Sequence, residues 1–123
     1  MQNDAEQLPV GDLEFLQELA QKSGVKITRE LIIAAPLSVE KEVGLIVSAI
    51  SNGDIATLKA ACHALKGACY SVQMQRLGHY VRAIEAVCDD ITAAREILPF
   101  LEKAGKESVT WWTDVLEQES YLG

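Results

Sequence analysis

At 123 residues the chain is long enough for one well-formed core and short for two, so a single domain spanning residues 1–123 is expected. Hydrophobic residues make up 49% and prolines number three, which excludes a disordered, collagenous or low-complexity chain. A formal net charge of −7 opposes direct binding to nucleic acid or to an anionic membrane, since either needs a concentrated basic face.

No apolar run reaches the roughly 18 residues of a membrane span. The start, Met1-Gln2-Asn3-Asp4-Ala5-Glu6, lacks the basic segment of a secretory signal. Three cysteines without a CxxC spacing point to reduced thiols, so a cytoplasmic protein is expected.

In chain order, Asp12 opens a first short helix whose apolar stripe is Leu13, Phe15, Leu16 and Leu19 and whose stop is Ser23-Gly24. A longer helix follows over about Ile27 to Ile50, with Leu31, Ile32, Val39, Val43, Ile46, Val47 and Ile50 as core candidates. Pro36 either kinks or divides it, because proline lacks an amide hydrogen and clashes with the preceding turn. Ser51-Asn52-Gly53-Asp54 is a break in which Gly53 can take a positive φ and Asp54 can cap the next helix. A third helix is predicted over Ile55 to Ser71 and a fourth from Gln75 to Val87 or Cys88. The Asp89-Asp90 pair caps a fifth that ends near Glu119, with Pro99 the threat to its continuity. No stretch of alternating β-branched residues competes. The predicted fold is all-α: an antiparallel four-helix bundle with an additional short N-terminal helix.

The third helix carries one of only two histidines. At about 100° per residue, Lys59, Gly67 and Tyr70 project within roughly 45° of His63, and Lys66 at about 60°. Leu58, Ala61, Leu65, Ala68 and Val72 cluster on the far side, with Cys62 and Cys69 on a flank. The core therefore has its own stripe, and His63 is predicted to face solvent. An exposed imidazole is substantially neutral near pH 7, so one ring nitrogen offers a lone pair for attack on phosphorus. Lys66, one turn along, and Lys59, one turn back, are mobile point charges suited to screen an added phosphoryl group. Gly67 costs about 1 kcal/mol of helix propensity against alanine, and in return removes a side chain beside the ring.

The stretch His63-Ala64-Leu65-Lys66-Gly67-Ala68-Cys69-Tyr70-Ser71-Val72-Gln73-Met74-Gln75-Arg76-Leu77 resembles the histidine-containing phosphotransfer (HPt) family of multistep phosphorelays. The family core reads H-x-(hydrophobic)-K-G, then small residues, a hydrophobic residue, usually a glycine, and a new helix. His63, Leu65, Lys66, Gly67, Ala68 and Val72 agree with it. The helix order from Leu13 to about Leu116 is similar too, including a proline in the long second helix and Gly53-Asp54 before the histidine helix.

The resemblance implies a phosphocarrier rather than a turnover enzyme. His63 would accept a phosphoryl group at Nε2 from an aspartyl phosphate on a receiver domain and pass it to another receiver's aspartate. Lys66 would neutralise the phosphate and Gly67 would give access. The receiver supplies the acidic pocket and Mg²⁺, so no cofactor or metal is expected on this chain. Implied partners are response-regulator receiver domains and a hybrid sensor histidine kinase, with the chain itself a monomer. Glu85 matches a polar position on the adjacent helix that orients Nδ1; an ordinary solvated glutamate is the competing reading.

Two residues depart from the family. Gln73 stands where glycine is usual, and Tyr70 where a small residue is, about 20° from His63 in projection. Together with Lys59 they are the docking candidates. These departures also support an alternative, a non-catalytic helical adaptor that binds a receiver or histidine kinase without efficient transfer. A hydrolase using His63 as a base is weaker, because no second nucleophile or carboxylate shares its helical constellation.

Elsewhere, His79 beside Tyr80 reads as structural or surface. Cys62 and Cys69 lie two turns apart, about 10 Å, too far for a disulfide. No four-ligand zinc spacing is present. Trp111 and Trp112 diverge by about 100°, so one is predicted in the core and the other at a helix junction or interface.

Overall fold

The computed structural model describes residues 5–123, so most of the Met1–Glu6 segment lies outside the described residues. Five helices follow in order among these residues: α1 Leu13–Ser23, α2 Val25–Asn52, α3 Ile55–Ser71, α4 Gln75–Ala86 and α5 Ile91–Gln118, with a closing 3-10 turn at Ser120–Leu122 and no strand. Each of α2 to α5 packs on its sequence neighbours, and α5 closes the ring on α2. Short connections between them enforce the antiparallel order. The helix α1 lies outside the ring, against α2 and the terminal 3-10 turn.

Local chemistry sets the boundaries. Asp12, Asp54 and Asp90 are the N-caps of α1, α3 and α5, their Oδ1 atoms accepting from the amides of Phe15, Thr57 and Ala93 at 3.0, 3.1 and 3.2 Å. Asp89 does not cap; it turns outward to a partner on α3. Gly53 ends α2 at φ 65°, a left-handed angle that suits glycine. At the end of α3 the left-handed residue is Gln73, φ 63°, and the Met74 amide donates back to the Cys69 carbonyl at 2.9 Å. That six-to-one bond is the Schellman closure, and it explains why glycine is the usual residue there.

Of the outcomes expected at the prolines, division of the helix does not occur. Pro36 neither divides α2 nor shortens it, and the helix runs unbroken for 28 residues. Pro99 likewise sits inside a continuous α5 of 28 residues. Apolar packing between α2 and α5 carries both helices through positions where proline alone disfavours them. Gly105 permits this approach, since a Cβ there would stand 3.3 Å from Val43 Cγ2.

The core contains Leu16, Ile32, Val39, Ile46, Ile50, Leu58, Leu65, Leu77, Ile84, Leu101 and Trp112. Cys62 and Cys69 are 0% and 3% exposed and belong to this core rather than to its flank. Burial pushes each thiol up to about 12. Trp112 is the buried indole, its Nε1–H donating to Met74 Sδ at 3.2 Å. Trp111 is half-buried and covers the chain at Gly11, where a Cβ would meet its ring carbons at 2.6 Å. No helix among the described residues is long and apolar enough to cross a membrane.

Candidate functional site

His63 occupies the middle of α3 and is exposed, as are Lys59, Gly67 and Tyr70 on the same side. Leu58, Ala61, Cys62, Leu65 and Cys69 turn inward, so the imidazole is free of the core stripe. Gly67 has ordinary helical geometry, and a Cβ added to it would meet nothing within 4 Å. The surface beside the ring is therefore open. Lys66, one turn beyond His63, is half-buried.

The neighbouring helix completes this face with charged partners. Lys66 Nζ donates to Glu85 Oε1 at 2.7 Å, with the two side chains 28% and 29% exposed. Glu85 thus meets the lysine; the resemblance implies a bond to the imidazole, and a solvated glutamate is the competing reading. The hydrogen bond to Glu85 holds the Lys66 ammonium above the ordinary lysine range, with burial opposing it. Toward the start of α3, Lys59 Nζ lies 3.1 Å from Asp89 Oδ1 at an exposed site, and that hydrogen bond raises its pKa as well. Toward the end, Arg82 Nη1 donates to Tyr70 Oη at 3.1 Å, and its guanidinium carbon is 5.7 Å from the ring centroid. Tyr70 is 57% exposed.

His63 is thus flanked by a ladder of three rungs, Lys59–Asp89, Lys66–Glu85 and Tyr70–Arg82, each joining α3 to α4 or the turn after it. Asp89 and Arg82 were not anticipated as members. Their signal lay in spacing: Arg82 and Glu85 are i, i+3 neighbours on α4 and Asp89 follows in the turn after it, opposite 70, 66 and 59 on an antiparallel neighbour. Gln73, half-buried in the turn that joins the two helices, fixes how they diverge rather than contributing to the ladder. His79 is half-buried with its ring edge-on to Tyr80, centroids 5.1 Å apart.

The geometry is that of one exposed imidazole one helical turn from a lysine tethered by Glu85. A family model for the Hpt domain matches residues 37–118. The chain belongs to the Hpt domain family. Hpt domains are phosphocarriers of two-component signalling rather than turnover enzymes; they bind no cofactor and interact with receiver and kinase domains. Among the described residues no group of three or more His, Cys, Asp or Glu side chains is arranged to hold a metal ion. The Hpt match begins in the middle of α2 and ends at the last residue of α5, so it contains the whole ladder. No curated protein and no solved structure matched the chain.

Proposed function

We propose that this Hpt domain is a phosphorelay intermediate that carries a phosphoryl group on His63 between aspartates of response-regulator receiver domains. The observation that carries this reading is the exposed imidazole at the centre of α3, with Lys66 one turn on and open space over Gly67, in a chain of this family. Nε2 attacks the phosphorus of a receiver's aspartyl phosphate, the N–P bond forms as the acyl P–O bond breaks, and the aspartate leaves as carboxylate. The receiver brings Mg²⁺ and the acidic pocket. Lys66 is the counterion of the new group, and Lys59, Tyr70 and Gln73 border the docking surface. The upstream partner in this reading is a hybrid sensor histidine kinase, the compartment is the cytoplasm, and the domain acts as a monomer comprising residues 1–123.

Transfer from a panel of phosphorylated receivers to the intact protein and to His63→Gln tests the reading. Acid-labile, base-stable label on the intact protein alone is the expected outcome; no label from any receiver overturns it. A second reading, a receiver-binding adaptor without efficient transfer, is favoured by Lys66 being already engaged by Glu85 and by the exposed Tyr70 ring two turns along the same side of α3. Tight receiver binding without label on His63 is its signature.

A further inference from the structure

We propose that Glu85 competes with the phosphoryl group on His63 for Lys66, and thereby sets how firmly this domain holds the group it carries. This deepens the phosphocarrier reading and rests on it.

The Lys66 ammonium carries one positive charge, and it is already spent in a 2.7 Å hydrogen-bonded ion pair with Glu85 Oε1. Both side chains are about two-thirds shielded from water, so this pair is screened less than a fully exposed one. Residues three apart on a helix are surface neighbours, which keeps Lys66 within reach of the His63 ring without leaving its own turn. Lys59 is likewise paired, with Asp89 at 3.1 Å, but at an exposed site where the ion pair is screened by water and the same competition is weaker. Arg82 differs: its partner on the ladder is the neutral Tyr70 hydroxyl.

On transfer, the Nε2 lone pair forms the N–P bond, the electron pair of the breaking P–O bond stays on the receiver's aspartate, and the ring keeps its Nδ1 proton. The phosphoryl oxygens bring two negative charges and the ring, with its Nδ1 proton kept, one positive, so the site gains a net charge of −1 with the anionic oxygens outermost. A divalent oxyanion outcompetes a single carboxylate for the ammonium, so Lys66 turns toward it. Glu85 is then left half-buried, short of its cation, and close to a second anion. The phosphorylated state therefore carries a cost that a lone lysine would not impose. A carrier built this way gives its group up readily to the next receiver. Glu85 acts here through Lys66 and is a positioning residue, touching neither phosphorus nor the attacking nitrogen.

A double-mutant cycle decides the matter, using the full chain, Glu85→Gln, Lys66→Ala and the double variant. Each is loaded at His63 both by a phosphorylated receiver and chemically with phosphoramidate. The partition between phospho-receiver and phospho-His63 and the half-life of the phosphohistidine are measured, with thermal unfolding as a control. Glu85→Gln is expected to shift the partition toward His63 and lengthen the half-life, by roughly three- to fivefold, the range a partly exposed ion pair commands. In the Lys66→Ala background the same change should alter neither quantity beyond about 1.5-fold. An equal effect with and without Lys66, or a shift toward the receiver in Glu85→Gln, overturns the proposal. Chemical loading keeps the two readings separable: if no receiver labels the wild type, the phosphocarrier reading falls, while the half-lives still decide the competition for Lys66.

Discussion

At Gln73 a side chain occupies a left-handed backbone angle, φ 63°, that L-residues adopt at a cost of about 1–2 kcal/mol. Gln73→Gly removes that cost, offset in part by the extra freedom glycine has in the unfolded chain. The expected net result is stabilisation by about 1 kcal/mol in urea unfolding, with the α3–α4 turn unchanged. Gly67 is the opposite case, with an ordinary helical angle and open space at its Cβ position. Gly67→Ala should be stabilising by up to about 1 kcal/mol. Gly67→Gln should fold equally well yet slow receiver-dependent labelling of His63. If it transfers at the wild-type rate, the open surface beside the ring has no part in docking. Two of the three buried thiols give a further check: with burial raising Cys62 and Cys69 to about 12, both should resist iodoacetamide at neutral pH in the folded protein and react once it is unfolded.

At the scale of elements, the parts of the fold that were legible in the sequence are those written in local chemistry. Asp12, Asp54 and Asp90 announce three helix starts, Gly24 and Gly53 two stops, and the apolar period gives α3 its inward and outward faces. What was not legible depends on contacts between helices. Pro36 reads as a kink or a division and Pro99 as a threat to continuity because propensity is local, whereas the packing of α2 on α5 that overrides it is not. Lys66 and Glu85 are 19 residues apart, and their pairing emerges only when the Schellman turn folds α4 back along α3. The role of Gly11 was equally hidden. Its lack of a side chain lets the Trp111 ring lie against the backbone, so Gly11→Ala forces the indole to shift and should destabilise by about 1–3 kcal/mol in thermal unfolding. Replacing Asp54 by alanine removes the cap of the histidine helix and should cost about 1 kcal/mol.

Across the whole molecule, the segment before α1 is tied over the bundle by charge. Arg76 Nε donates to the Leu8 carbonyl at 2.9 Å, and its terminal nitrogens reach the Glu6 carbonyl and Glu107 Oε2. Lys103 and Tyr80 donate to the two oxygens of the Glu6 carboxylate at 2.7 and 3.1 Å. The hydrogen bond from Lys103, against an opposing effect of burial, holds Glu6 below its ordinary 4.5. A carboxylate depressed in the folded state is protonated first in the unfolded chain. Its contribution is therefore complete above that ordinary value and is lost as pH falls through the folded one. Urea midpoints followed down through the carboxylate range should fall less steeply in Glu6→Gln than in wild type, and parallel curves would show that the tie carries no proton-linked stability.

The terminal segments have a consequence for where this domain can be cut. The family match spans 37–118, yet Leu16, Thr28 and Ile32 before it and Tyr121 after it are buried. Gln17 donates to the Ser120 carbonyl at 3.0 Å, and Arg29 to the Tyr121 hydroxyl at 3.3 Å, so the two ends of the chain are fastened to each other. The boundary of the shared motif is thus not the boundary of cooperative unfolding. A protein trimmed to 37–118 keeps every residue of the ladder beside His63 while stripping one flank of the bundle. It should melt well below the intact chain, and any loss of phosphotransfer in it would report on the missing flank before it reported on the histidine.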